Sequence, residues 1–169
     1  MSFDSYVKID GIEGESTDSK HSGWIEAIHF SAGVSQTVSI TASSAGGATT
    51  GRADVRPFTF SKQVDSSSPK LFQACAAGTH FNKITIAMHR SGGDEKVKFL
   101  EYELTNCIIS DVSTNGGSED FPTERVCIDF GKIIVAYVKQ SRQGGGPGGS
   151  VSAGWDLQKN CKEKLIQTH

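Results

Sequence analysis

Histidines, cysteines and closely spaced carboxylates are the side chains in this sequence equipped for chemistry, and their spacing argues against most of it. The five histidines are His21, His29, His80, His89 and His169. None lies two or four residues from another, so no strand or helix presents a two-imidazole clamp for a metal. Each reads as a solvated or singly hydrogen-bonded ring. Asp18 and His21 are close enough to pair within a turn, which orients a loop and performs no reaction. Glu13 with Glu15, and Glu101 with Glu103, have the spacing of one strand face. Acid/base pairs use two carboxylates, but such spacing is far more common on a solvated face. The four cysteines (Cys75, Cys107, Cys127, Cys161) are separated by 32, 20 and 34 residues, with no Cys-x-x-Cys among them. They read as isolated thiols packed as small hydrophobes or left exposed. Cys161, in a polar tail over 161–169, is the one placed to cross-link subunits on oxidation. Gly144-x-Gly146-x-x-Gly149 matches a dinucleotide fingerprint as a string, yet Pro147 lies inside it. Ser150-Val151-Ser152-Ala153-Gly154 follows where a helical turn should receive the pyrophosphate. There is no GxSxG elbow, HExxH, Walker A loop or EF-hand spacing. No catalytic residue, metal or cofactor is expected, and the chain is not read as an enzyme.

The whole chain is 169 residues and 18.0 kDa, 36% hydrophobic and 21% charged. That balance fits one domain over 1–169 with a core of its own and argues against wholesale disorder. Net charge is −2, with a pI near 6.2, and no strip interleaves basic with aromatic residues. Nucleic acid and membrane insertion are therefore not expected. The start, Met1-Ser2-Phe3-Asp4-Ser5-Tyr6-Val7-Lys8, has no basic stretch followed by an apolar one, so synthesis in the cytoplasm without a cleaved signal is expected.

Period-two alternation dominates the chain. Phe3, Ser5, Val7 and Ile9 share one face of a first strand, against Tyr6 and Lys8. Ile28 and Phe30 point to the core, which sets His29 and Ser31 on the opposite face. Phe58 and Phe60, then Ile84, Ile86 and Met88, then Leu100, Tyr102 and Leu104, then Val126, Ile128 and Phe130 repeat the pattern. Seven or eight strands joined by Gly/Ser/Asn-rich turns predict an all-β, antiparallel two-sheet barrel or sandwich. One short helix over about Pro69–Ala77 interrupts them. Ser68 is suited to its N-cap, Pro69 to its first turn and Gly78 to its left-handed stop, with Leu71, Phe72, Cys75 and Ala76 as its apolar face.

Three segments exceed a minimal barrel. Thr41–Gly51 lacks any large apolar side chain and reads as a long, flexible, protruding loop, of the kind that is functional or disordered. The stretch 144–149 is a second flexible loop. In Lys132–Val138 both faces are apolar: Ile133, Val135 and Tyr137 on one, Ile134, Ala136 and Val138 on the other. Either a second layer of the domain or a neighbouring subunit covers the second face.

The order of motifs resembles the haemolysin-coregulated protein family of the bacterial type VI secretion system. The opening Phe3-Asp4-Ser5-Tyr6-Val7-Lys8-Ile9-Asp10-Gly11-Ile12-Glu13-Gly14-Glu15-Ser16, with Asp18 and His21, is similar to that family's N-terminal signature. Ser68-Pro69-Lys70-Leu71, Gly78-Thr79-His80, Gly92-Gly93, Ser113 to Ser118, Pro122 to Val126, Tyr137 to Gln140 and Gly154 to Leu157 with Asn160 continue the match. The resemblance implies a tube subunit: six-membered rings, stacked head to tail, carrying effectors in the lumen. Its implied partners are further copies of itself, the sheath, the baseplate and spike, and effectors. It implies export by the machine itself, from the cytoplasm to the extracellular space or a target cell. It also implies a ring-stacking role for the long loop, through Ser43, Ser44, Gly46, Gly47, Thr49 and Thr50. On this reading Ile134, Ala136 and Val138 are candidates for the subunit seam, and His29 and Ser31 for the lumen. The competing expectation is a monomeric β-barrel that binds a small ligand inside.

Overall fold

The computed structural model describes residues 2–39, 49–92, 95–141, 147–163 and 165. Its strands are β1 (Phe3–Ile9), β2 (Ile25–Ala27), β3 (His29–Ser31), β4 (Val34–Ser35), β5 (Val38–Ser39), β6 (Thr49–Thr50), β7 (Asp54–Val55) and β8 (Phe58–Gln63). Helix α1 (Ser68–Ala77) follows, then β9 (His80–Gly92), β10 (Glu95–Asn115), β11 (Thr123–Asp129), β12 (Lys132–Gln140), β13 (Pro147–Asp156) and β14 (Cys161–Lys162). All pairings are antiparallel. The all-β expectation with one helix holds. The strands outnumber those expected because several span only two or three residues, too short for alternation to reveal.

One path of neighbours runs β14-β13-β12-β10-β11-β8-β3, while β9 lies along β10, β1 along β9 and β2 along β1. The layers form a sandwich, not a fully hydrogen-bonded barrel. Between β2 and β3 the chain itself crosses from one layer to the other at Ile28, whose N–H donates to Ser61 O at 2.7 Å. That crossing shifts the phase of the alternation. Ile25 is buried and Ala27 packs on the core, but Ile28 is 47% exposed, and Phe30 returns inward. Ile28 is therefore not core-facing, because a bend inserted between two short strands flips the parity that a continuous strand would keep.

Inside, Val7, Ile25, Phe58, Phe60, Ile84, Ile86, Met88, Leu104, Val126 and Ile128 have no exposed surface. Apolar positions of six strands thus converge on one cluster. Helix α1 packs Leu71 and Ala74 inward with Cys75 beside them, while Phe72 is 69% exposed. The expected face was one position off: Ala74, three residues after Leu71, shares its side of the helix, whereas Phe72 is turned about 100° away. Ser67, not Ser68, occupies the N-cap, without a side-chain cap bond, and Gly78 takes the left-handed stop at φ 60°.

Ser68 serves a buried ion cluster instead. Lys62, wholly buried on β8, places Nζ 2.6 Å from Glu124 Oε1 on β11 and 2.8 Å from Asp65 Oδ1. It also donates to Gln63 O and to Ser68 Oγ, and Ser68 Oγ donates to Glu124. This cluster ties the entry of α1 to the two strands beneath it. Removing one partner of a buried pair leaves an uncompensated charge, at about 3–5 kcal/mol. Glu124→Ala is expected to lower the unfolding free energy by about 3 kcal/mol in urea titration, while Lys62→Met combined with Glu124→Leu costs far less.

Candidate assembly surfaces

Beyond β10 the sheet continues as a ribbon of β12, β13 and β14. Residues paired across strands share a face, so Ile133, Val135 and Tyr137 join Leu104, Tyr102 and Leu100 of β10 and Trp155, Ala153 and Val151 of β13. Ile133, Tyr102 and Leu100 pack against the core. The other face sets Ile134 and Ala136 between Glu103 and Glu101 on one side and Gly154 and Ser152 on the other, with Val138 paired to Ser150. Ile134, Ala136 and Val138 are all half-buried, so this expected seam is an apolar stripe within a polar frame. The large exposed apolar side chains of the ribbon, Tyr137 and Val151, lie on the opposite face.

The long segment after β3 begins and ends as a narrow hairpin. Val34 and Ser35 pair with Val55 and Asp54, and Val38 and Ser39 pair with Thr50 and Thr49. Thr49 and Thr50 are thus strand residues, whereas Ser43, Ser44, Gly46 and Gly47 lie outside the described residues. The root of this arm is fastened to the ribbon, since Arg52 donates to Leu157 O at 2.6 Å. Arg56 lies against Gly33, where a Cβ would meet its Nη2 at 1.9 Å, so a side chain at position 33 would displace the guanidinium. Between arm and ribbon opens a groove of about 720 Å3, lined by Val34, Val55, Arg56, Tyr102, Val135 and Trp155 among others.

His29 and Ser31 are exposed on β3, as expected. Register places His29 beside Ser61 and Arg125, and Ser31 beside Thr59 and Cys127. Across to β10 the same face continues with Ser113 and Asp111. It is a sheet surface of mostly short polar side chains.

The histidines are not all scattered. His21 and His89, distant in sequence, meet under the loop between β1 and β2, both more than nine-tenths buried. His21 stacks on Tyr6 at 4.5 Å, touches His89 edge-on at 4.3 Å and Trp24 at 4.8 Å, and donates to Asp18 Oδ1 at 2.7 Å. The Asp18–His21 pair expected from sequence is present; His89 was missed because only β1–β9 pairing brings it there. The hydrogen bond from His21 holds the Asp18 carboxyl down at about 2. Burial, reinforced by the neighbouring His21, pushes His89 down to about 4. Lys96 bridges Asp4 at 2.8 Å and Tyr6 Oη at 3.2 Å, and its ammonium is held protonated well above the ordinary lysine range. The cysteines are all free, and burial pushes the Cys107 thiol up to about 11, far from a reactive thiolate. Among the described residues no three metal-ligating side chains are gathered, and no helix is long and apolar enough to cross a membrane.

An antiparallel sandwich with a projecting arm, a half-covered apolar ribbon and a polar sheet face describes a scaffold whose working parts are surfaces. The chain matches the family model described as "Type VI secretion system effector, Hcp" over residues 6–137, and it belongs to that family. It is 35% identical to Protein hcp1 of Pseudomonas aeruginosa over 163 residues, covering 96% of this chain and 99% of that one. A solved structure described as a type six secretion system protein superposes with a TM-score of 0.88 at 32% identity, covering 96% of this chain and all of the other. Hcp1 from Salmonella typhimurium does so at 0.79 and 30% identity, again with 96% and 100% coverage. The family is one of secreted structural proteins and is not a known enzyme family.

His89 gives the fold an acid-side stability slope. His89 folded titrates near 4 against an ordinary 6.5, so between those values the unfolded chain binds more protons. Stability falls as pH drops from 6.5 to 4, by at most about 3 kcal/mol. Urea midpoints measured across pH 7 to 4 are expected to decline, and His89→Leu to flatten that decline.

Proposed function

We propose that this chain is the structural subunit of a type VI secretion inner tube, closing in sixes into rings that stack head to tail around an effector-carrying lumen. The observation that carries the reading is the near full-length likeness to Hcp proteins, in a chain that exposes Val34 and Val38 on the arm and Tyr137 and Val151 on the ribbon. A ring needs one side of each copy to bind a different side of the next, with the rotation closing. The stripe Ile134, Ala136 and Val138 supplies part of that seam. The arm, with Thr49 and Thr50 in its paired stem and Ser43, Ser44, Gly46 and Gly47 beyond, reaches toward a neighbouring ring. Ordering such a glycine-rich tip costs conformational entropy, which keeps stacking weaker than ring closure. His29 and Ser31 face the lumen, where short polar side chains hold cargo weakly enough to release it. Sheath, baseplate and spike act outside the tube, and the subunit waits in the cytoplasm until the machine expels it.

The internal-ligand alternative finds no support in the packing: Phe58, Phe60, Ile84, Ile86 and Met88 fill the interior, and the groove under the arm and the hollow beside Phe121 both open at the surface. Sedimentation at micromolar concentration is expected to give six times the 18.0 kDa chain mass; a species at 18.0 kDa alone would overturn the ring. Ser31→Glu is expected to reduce effector co-purification several-fold while leaving that mass unchanged. Unaltered cargo recovery would show that β3 does not face the lumen.

A further inference from the structure

A knob and a groove of matching character occur on one chain. The knob is the turn between β10 and β11, Ser118-Glu119-Asp120-Phe121, in which all four residues are exposed and Phe121 shows 62% of its surface to solvent. Neither Glu119 nor Asp120 enters an ion pair among the described residues. Phe121, preceded by two carboxylates without ion pairs, is a large apolar side chain left mostly in solvent at the edge of a hollow it lines with Phe3, Ile28 and Val64. The groove under the arm offers what this turn lacks. Its walls are Val34, Val55, Val135 and Trp155, and about 720 Å3 admits an aromatic ring together with its neighbours.

The rim of the groove is basic. Arg56 lines it, and Arg52 is fixed beside it on Leu157 O. Lys162 sits opposite Trp155 in the β13–β14 register and so shares its face. Asp54 is the carboxylate on the same arm; Asp156 and Glu163 nearby are engaged by Lys132. The absence of a Cβ at Gly33 lets the Arg56 guanidinium lie across the arm's root, at the groove it lines.

Knob and groove lie at opposite ends of β11: the knob precedes Thr123, whereas Phe130, just past Asp129, lines the groove. We propose that the Glu119–Phe121 turn of one copy docks into the arm–ribbon groove of a second copy, Phe121 entering between Val34, Val55, Val135 and Trp155 while Glu119 and Asp120 meet Arg52, Arg56 and Lys162. The contact is heterologous, joining unlike surfaces of identical chains, so it propagates from copy to copy and closes only if the rotation allows. Burial of the aromatic anchor supplies the affinity, and the charges fix register and partner choice. This inference rests on the assembly reading above and names the residues that would carry one of its contacts.

The test is a cysteine cross-link in a Cys161→Ser background, pairing Val34→Cys with Phe121→Cys in the same chain. Mild oxidation is expected to give a ladder of covalent multiples on a denaturing gel, ending at six for a ring contact and running on for a stacking contact. Each single-cysteine variant should stay at one chain mass. Charge gives an independent arm, free of the cross-link: Arg56→Glu is expected to weaken assembly at least tenfold, and adding Asp120→Arg to restore most of it. Rings of parental mass that yield no ladder and ignore both charge changes would overturn the docking while leaving the ring intact. A parent chain that never exceeds 18.0 kDa would instead overturn the assembly reading itself.

Discussion

The architecture turns on a single change of partner along β10. From Leu100 to Thr105 this strand pairs with β12, and from Ile108 to Asn115 it pairs with β11, while β9 follows it on the other side. One edge cannot serve two partners without a break between them. Asn106 provides it by adopting φ 55°, a left-handed conformation that asparagine tolerates better than most residues. At that point the Gly131 N–H reaches the carbonyls of Thr105 and Asn106 at 2.9 and 3.1 Å, stitching the β11–β12 turn into the gap. The sandwich lies on one side of this kink and the ribbon on the other. A single backbone conformation thus separates the part of the molecule that folds from the part that presents surface.

That division explains which features were legible in the amino-acid order. Ile84, Ile86 and Met88, or Val126 and Ile128, alternate without interruption, and each is fully buried. The helix was readable from Pro69 and Gly78, whose backbone preferences act locally. What escaped was set by contacts distant in sequence. Ile28 turns outward because the chain changes layers there, and Phe72 is exposed because α1 meets β10 through Leu71 and Ala74. His21 and His89 become neighbours only through the β1–β9 ladder. The β12 stripe was legible as apolar on both faces, but not which face the core would claim. Core packing takes Ile133 and leaves Tyr137 of the same face in solvent.

The two ionic clusters stand at the joints between layers and loops. Lys62 with Glu124 and Asp65 clamps α1 to β8 and β11, and Lys96 with Asp4, Asp18 and Tyr6 clamps the β1–β2 loop to β10. The first is dry, so its strength comes from a low dielectric and is lost wholesale when one member goes. The second is open to solvent and screened, which makes it an aid to register more than a source of stability. In both clusters the charged groups are committed to one another.

Edges bring the same logic to association. Among the described residues the sheet ends in β2 and β3, three residues each, and in β14, two residues, which covers only the Trp155–Asp156 end of β13. Borders as short as β2, β3 and β14 give an incoming strand little backbone to pair with; the outer edge of β13 is the exception. On the proposed assembly, contacts between copies run through side-chain faces: the half-covered ribbon, the arm and the exposed Phe121 turn. Side-chain contacts differ from added strands in a way that suits a tube, because they can be strong within a ring and weak between rings on the same fold. A backbone ladder has nearly one strength per residue, whereas an apolar stripe and a charged rim can be set independently at each surface.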